Sequence, residues 1–269
     1  MALQQPQYAP PSRHEASRRP SRPEGQRRWP TGALVRNLER FAPLGHEERG
    51  ALNALTGRLV PFPPRADLVE AVASPPRDVI VVCGYACRYK LRPGGERQIL
   101  QVLMPGDICH GDELPQAGAP HAVGALTEVY LAKPPSGALA RVAERHEAVA
   151  RALAGAALVE RTILLEWIAA AGRPAENRLA HLLCELAVRM TSLGLAQGGR
   201  AAPPLTQVEL AQALGLTAVH LNRLVQKLRR EGLVQQANRG LAILDFDRLQ
   251  ALGEFDAGYL RLGSRPVSH

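Results

Sequence analysis

The stretch from Leu205 to Leu224 constrains this chain more than any other. It reads as two short helices joined at Gly215. Thr206 stands where a hydroxyl caps a helix, and Glu209, three residues on, completes a capping box. Leu210, Ala211 and Leu214 face inward, and the small Ala211 lets a second helix cross close by. Gly215 suits the left-handed conformation that ends a helix without a Cβ clash. Thr217 caps the second helix, and Leu221, Leu224, Val225 and Leu228 form its buried stripe. Its opposite face carries Ala218, Val219, His220, Asn222, Arg223, Gln226, Lys227, Arg229 and Arg230. Cap, small residue, glycine, cap and stripe in that order describe a helix-turn-helix, which sets one helix in the major groove of DNA. Val234–Gln236 and Leu241–Leu244 around Asn238-Arg239-Gly240 read as a β-hairpin wing with a basic tip. On this reading the DNA-contacting residues are Thr206, Gln207, Thr217, Ala218, Val219, His220, Asn222, Arg223, Lys227 and Arg239.

The distribution of charge agrees. The 269 residues carry a net charge of +8. Residues 1–30 hold six Arg against two Glu, residues 31–172 are balanced, and residues 173–269 hold twelve basic against eight acidic side chains. The ordered positive excess therefore accompanies the helix-turn-helix, as a polyanion-binding unit requires. No apolar run reaches the ~18 residues of a membrane span. Nor does the N-terminus carry the apolar core of a secretion signal. Four cysteines without framework spacing suit a reducing cytoplasm.

Residues 1–30, rich in Pro, Arg, Gln and Ser, have the composition of a disordered tail. Leu34 to Leu59 has helical periodicity. Residues 60–133 switch to short strands at Val79–Val82, Ala86–Leu91, Gln98–Leu103 and Val129–Ala132, punctuated by Gly84, Pro93-Gly94-Gly95, Pro105-Gly106-Asp107 and Gly124. Such spacing suggests a compact barrel or jelly roll. Residues 137–171 return to a helical pattern. Leu153, Ala157, Glu160, Leu164, Trp167 and Ala171 alternate at four and three, the spacing of a coiled-coil seam for dimerisation. Gly172-Arg173-Pro174 is a hinge, and Ala175–Leu193 is a further amphipathic helix.

Helix, β-roll, long helix, hinge and winged helix in this order resemble the Crp/Fnr family of bacterial transcription regulators. The resemblance rests on Gly84 with Arg88-Tyr89-Lys90, on Gly95–Ile99, on Leu103-Met104-Pro105-Gly106-Asp107, on Ala125-Leu126-Thr127, on Arg178–Leu186 and on Leu205–Arg223. Gly215-Leu216-Thr217 followed by His220, Asn222 and Arg223 is similar to the subgroup with a Val-His-x-Asn-Arg recognition helix. The resemblance implies an α+β chain with a basic tail (1–30), a cyclic-nucleotide-binding-like β-roll (31–140), a dimerisation helix (141–172) and a winged helix-turn-helix (173–269). It implies a cytoplasmic homodimer that binds a palindromic site on double-stranded DNA, contacts RNA polymerase, and is neither an enzyme nor a membrane protein. By position Arg223 matches the family's base-reading arginine, whose fork suits guanine. The family's frequent glutamate two residues after the cap is Val219 here, which suits a thymine methyl, while Thr217 and His220 suit phosphate.

No effector or cofactor is assigned by these residues. Gly111-Asp112-Glu113-Leu114 falls near the family's ribose-binding pair, but no Arg or Lys occurs from Leu114 to Val129, so a cyclic nucleotide's phosphate has no cation there. Residues 1–82 contain no cysteine, so an N-terminal iron–sulfur cluster has no ligands. The alternative sensor is redox or metal chemistry at Cys83, Cys87, Cys109 or Cys184, with His110 and His121 nearby. On a continuous strand Cys83 and Cys87 lie about 13 Å apart, too far for a disulfide unless Gly84 bends the chain. Cys109-His110-Gly111-Asp112-Glu113 is the densest reactive cluster, without a nucleophile elbow or metal-spaced His pair to make it catalytic. A ligand-binding module without DNA contact leaves the basic C-terminal third unexplained.

Overall fold

The computed structural model describes residues 32–68, 78–109, 122–196 and 201–262. The basic tail, His110, residues 111–114, His121 and residues 74–76 lie outside them. Two short helices open the described chain, α1 (Ala33–Leu38) and α2 (His46–Leu55). The continuous helical pattern expected from Leu34 to Leu59 is thus broken at Pro43 and Gly45, and Leu59 already belongs to a strand.

Seven strands build the roll: β1 (Leu59–Phe62), β2 (Val79–Cys83), β3 (Ala86–Leu91), β4 (Arg97–Leu103), β5 (Ile108–Cys109), β6 (Ala122–Ala125) and β7 (Val129–Ala132). They form an antiparallel sheet ordered β1-β7-β2-β5 and another ordered β4-β3-β6. Val79, Val81, Ala86, Leu103, Val123, Val129 and Leu131 fill the space they share. β1, β5 and β6 have no counterpart in the sequence reading; they are two to four residues long, too short for alternation to stand out.

The chain crosses from one sheet to the other at Gly84, with φ +81°, where a Cβ would lie 2.1 Å from the Glu128 carbonyl oxygen. Cys83 and Cys87 therefore occupy strands of different sheets rather than one continuous strand. None of the four cysteines is in a disulfide. Gly106 has φ +96°, and a Cβ there would sit 2.5 Å from the Ala33 carbonyl oxygen. The Pro105-Gly106-Asp107 turn is thus a close seat for α1. Asn37 closes it by donating to the Gly106 carbonyl at 2.9 Å and to Asp107 at 3.2 Å.

The helical pattern of residues 137–171 splits into α3 (Ala138–Arg145) and α4 (Glu147–Ala170), with His146 extended between them. The expected start of the dimerisation unit at 141 therefore falls inside α3. After the 172–174 break, α5 (Ala175–Ser192) leads to α6 (Gln207–Leu214), α7 (Ala218–Arg230), a two-stranded wing β8 (Val234–Gln236) and β9 (Leu241–Ile243), and α8 (Phe246–Gly253). A 3-10 turn at Ala257–Leu260 follows and packs against α4 and α5.

Leu179, Leu183 and Leu186 of α5 belong to one apolar core with Leu210, Leu221 and Val225 of the helix-turn-helix and with Ile99, Val102 and Met104 of the roll. The helix-turn-helix is thereby packed on the roll rather than tethered beside it. A buried polar network crosses the same junction. Glu185, fully buried, accepts from Trp167 Nε1 at 2.9 Å and from the Tyr259 hydroxyl at 3.0 Å, and pairs with Arg189 at 3.4 Å. Arg189 also pairs with Asp107 at 3.1 Å and donates to the Val102 carbonyl. Burial, and then the charge of Glu185, push the Tyr259 hydroxyl well above its ordinary pKa.

Candidate nucleic-acid interface

The helix-turn-helix forms for the local reasons its sequence suggests. Thr206 caps α6 by accepting from the Glu209 amide at 3.3 Å, and the Glu209 carboxylate accepts from the Thr206 amide at 2.7 Å. Gly215 ends α6 with φ +66°. Thr217 caps α7 by accepting from the His220 amide at 3.2 Å. Leu221, Val225 and Leu228 are fully buried, whereas Leu224 is half-buried.

Thr217, Ala218, Val219, His220, Asn222, Arg223, Gln226, Lys227, Arg229 and Arg230 are all exposed on the other face. A helix of thirteen residues is about 20 Å long, and this one presents four Lys or Arg side chains and one histidine to solvent. Val219 is the large apolar side chain among them, 65% exposed. Asn222 donates to the Gln207 side-chain carbonyl at 3.1 Å, bridging the two helices at the edge of this surface. Thr206 and Gln207 are half-buried.

Two expected DNA contacts are engaged elsewhere. Lys227 is drawn toward the start of α5 by Glu176 at 2.6 Å, which raises its pKa first through the hydrogen bond and then through the carboxylate charge. Arg239 at the wing tip does not project outward as the sequence suggested. Its guanidinium pairs with Glu209 at 3.0 Å, donates to the Pro204 carbonyl at 3.1 Å, and donates to the Leu126 carbonyl of the roll. The carboxylate that caps α6 thus also anchors the wing, a role the hairpin sequence gave no means of seeing. Gln98 of β4 adds a second tie, donating to the Gln212 carbonyl at 2.8 Å. That carbonyl lies in the last turn of α6, where the helix supplies no partner.

Arg239→Ala should therefore destabilise the fold by about 1–3 kcal/mol, since it leaves a mostly buried carboxylate and two carbonyls without their charged donor. A denaturant melt measures the loss. The salt dependence of DNA binding should keep the parent's slope; a phosphate contact would lower it by about one.

The exposed stripe of α4 runs one residue on from the expected seam. Glu160 points into its own subunit, pairing with Arg88 at 2.9 Å and accepting from Gln101 at 3.0 Å. Trp167 is spent on Glu185. Leu153 and Leu164 are half-buried, and of the expected seam within α4 only Ala157 is exposed. The face that α4 leaves open runs through Ala154, Leu158, Arg161, Leu165 and Ile168. These also alternate at four and three. Leu165 is 54% and Ile168 71% exposed. A stripe read from spacing alone has no origin, and the two registers differ only in which one the subunit's own packing covers.

Three of the four thiols are poorly placed for redox sensing, while Cys83 is half-buried at the end of β2. Cys87, Cys109 and Cys184 are buried, and burial pushes all three up to about 12. At neutral pH almost none of each is thiolate, the form that reacts. Among the described residues no three His, Cys, Asp or Glu side chains converge on a metal site. No described helix is long and apolar enough to cross a membrane.

Comparison with known proteins bears on the whole surface. A Crp-like helix-turn-helix domain matches residues 177–252. The chain is 30% identical over 167 residues to the nitrogen fixation regulation protein FixK of Bradyrhizobium diazoefficiens, a match covering 61% of this chain and 68% of that protein. It is 29% identical over 188 residues to the transcriptional activator protein FnrL of Cereibacter sphaeroides, covering 68% and 73% respectively. Among solved structures, FixK2 from Bradyrhizobium japonicum shares the fold with a TM-score of 0.58 at 24% identity, over 72% of this chain and 96% of that one.

Proposed function

The chain belongs to the Crp/Fnr family of transcription regulators, and we propose that it reads a palindromic operator as a homodimer through the outer face of α7. The observation that carries this reading is that face itself: a capped helix with a buried stripe on one side and His220, Asn222, Arg223, Gln226, Arg229 and Arg230 in solvent on the other. Arg223 reads guanine in the major groove, where N7 and O6 accept both arms of its fork. Val219 packs on a thymine methyl, and Ala218 allows the helix to lie close to the groove floor. Thr206, Gln207, Thr217 and His220 lie along the backbone, where hydroxyl, amide and imidazole groups bond phosphate. The sequence Val219-His220-Leu221-Asn222-Arg223 supports a kinship with the subgroup that carries a Val-His-x-Asn-Arg recognition helix.

The dimer forms along the open stripe of α4. In twofold pairing each of Leu158, Leu165 and Ile168 lies near the axis and meets the same patch on the second copy. Two α7 helices then address half-sites one helical turn, about 34–36 Å, apart. Residues 31–140 serve as the sensor unit, residues 141–172 hold the dimer, and residues 173–269 bind DNA and contact RNA polymerase in the cytoplasm.

Arg223→Ala tests the base assignment. It should cost about 1–3 kcal/mol per half-site and relax discrimination at one base position. Competition among operator variants measures both. If mutant and parent rank the variants alike, Arg223 does not read a base.

A further inference from the structure

The roll grips α6 at both of its ends. At the C-terminal end Gln98 of β4 donates to the Gln212 carbonyl at 2.8 Å and to the Ala213 carbonyl at 3.4 Å. Arg92, just past β3, donates to the Gln98 side-chain oxygen, which leaves the Gln98 amide N–H groups aimed at the helix. At the N-terminal end Glu209 pairs with Arg239, and Arg239 donates across to the Leu126 carbonyl between β6 and β7. Between these ties Leu210 shares an apolar core with Ile99 of β4. An α-helix of this length spans about 12 Å. Held near both ends and packed between them, α6 has a fixed direction as well as a fixed place.

The strand that holds α6 also holds α4. Gln101 of β4 donates to Glu160 at 3.0 Å, and Arg88 of β3 pairs with the same carboxylate at 2.9 Å. Gln98 and Gln101 lie about 10 Å apart along β4. The roll thus joins α4, which carries the open stripe, to α6 and so to α7, by a path that does not run through the 172–174 break. The outer face of α7 stays in solvent throughout. These ties orient the reading face without covering it.

We propose that Gln98 and Arg239 set the half-site spacing that the protein accepts, by fixing the distance and angle at which each α7 stands from the twofold axis. This role presupposes the homodimer reading above. One base pair inserted between half-sites parts them by about 3.4 Å and turns them by about 34–36°. Shared between two subunits, each α7 must shift by about 1.7 Å and turn by about 17°. A hydrogen bond of 2.8 Å, like that from Gln98, is lost once its groups part by about 1 Å. Losing one such bond in each subunit corresponds to a penalty of roughly ten-fold to thirty-fold. Neither Gln98 nor Arg239 touches a base, so they act as positioning residues.

The test is competition binding of the full chain to the inverted repeat selected from a random duplex pool, and to versions with one base pair added to or removed from its centre. The parent should lose roughly ten-fold or more on either change. Gln98→Ala and Arg239→Lys should each shrink that loss by roughly three-fold or more, and the double variant by roughly ten-fold. Arg239→Lys keeps a charge beside Glu209 but gives up the fork that reaches Leu126. Base preference at the position read by Arg223 should stay as in the parent, and urea midpoints confirm that the variants are folded. A folded double variant with the parent's spacing penalty overturns the proposal. So does a parent that binds inverted repeats of every spacing equally. A parent that favours a lone half-site over any inverted repeat overturns the homodimer reading itself, and the spacing role with it.

Discussion

Replacing Leu165 and Ile168 together with glutamate is expected to split the proposed dimer and lower operator affinity about a thousand-fold or more. Leu165 is 54% and Ile168 71% exposed, so most of each side chain lies in solvent within its own subunit. The variant should therefore fold with near-parental stability. In twofold pairing the new carboxylates face their own counterparts, and like charges brought together at an apolar seam cost several kcal/mol. A lone helix-turn-helix keeps phosphate attraction but loses the second half-site. Specific sites are typically bound about 10³–10⁷ times more tightly than non-specific DNA, and most of that margin should go. Sedimentation velocity and operator titration measure the two effects together. A variant that stays dimeric would return the seam to some other surface. Glu160→Ala and Trp167→Phe separate the two registers: they should weaken the subunit's own packing and leave its association unchanged.

The second large effect lies in the buried network. Glu185→Ala should destabilise the protein by about 3–5 kcal/mol, the scale for removing one partner of a buried ion pair. The truncation strands Trp167 Nε1 and the Tyr259 hydroxyl, and takes one of two carboxylates from Arg189. Glu185→Gln keeps an acceptor for both aromatic groups and should cost clearly less. Urea melts of the three proteins provide the comparison. Equal midpoints for the parent and Glu185→Ala would show that the junction between roll, α4 and α5 does not depend on this carboxylate. A preserved midpoint with altered operator affinity would instead make Glu185 a positioning residue for the DNA-binding unit.

The helix-turn-helix was legible because its determinants are local. Cap, glycine and stripe sit within twenty residues of one another, and each acts through neighbours in sequence. Val129–Ala132, Ala86–Leu91 and α5 could likewise be read from period and punctuation. What escaped the sequence was whatever depends on long-range packing. Arg239 looks like a wing-tip phosphate contact until folding brings it against Glu209, thirty positions away, and Leu126, 113 away. Glu160 fits a coiled-coil seam until β3 and β4 supply Arg88 and Gln101.

The central claim is that two outward α7 faces are presented together to one duplex. Selection of bound sequences from a random double-stranded DNA pool by the full-length protein, near physiological salt, tests it most directly. The account predicts enrichment of an inverted repeat with half-site centres about one helical turn apart, each half carrying a guanine whose enrichment disappears in Arg223→Ala. A pool that remains unenriched, or that converges on an asymmetric site indifferent to Arg223, would contradict it.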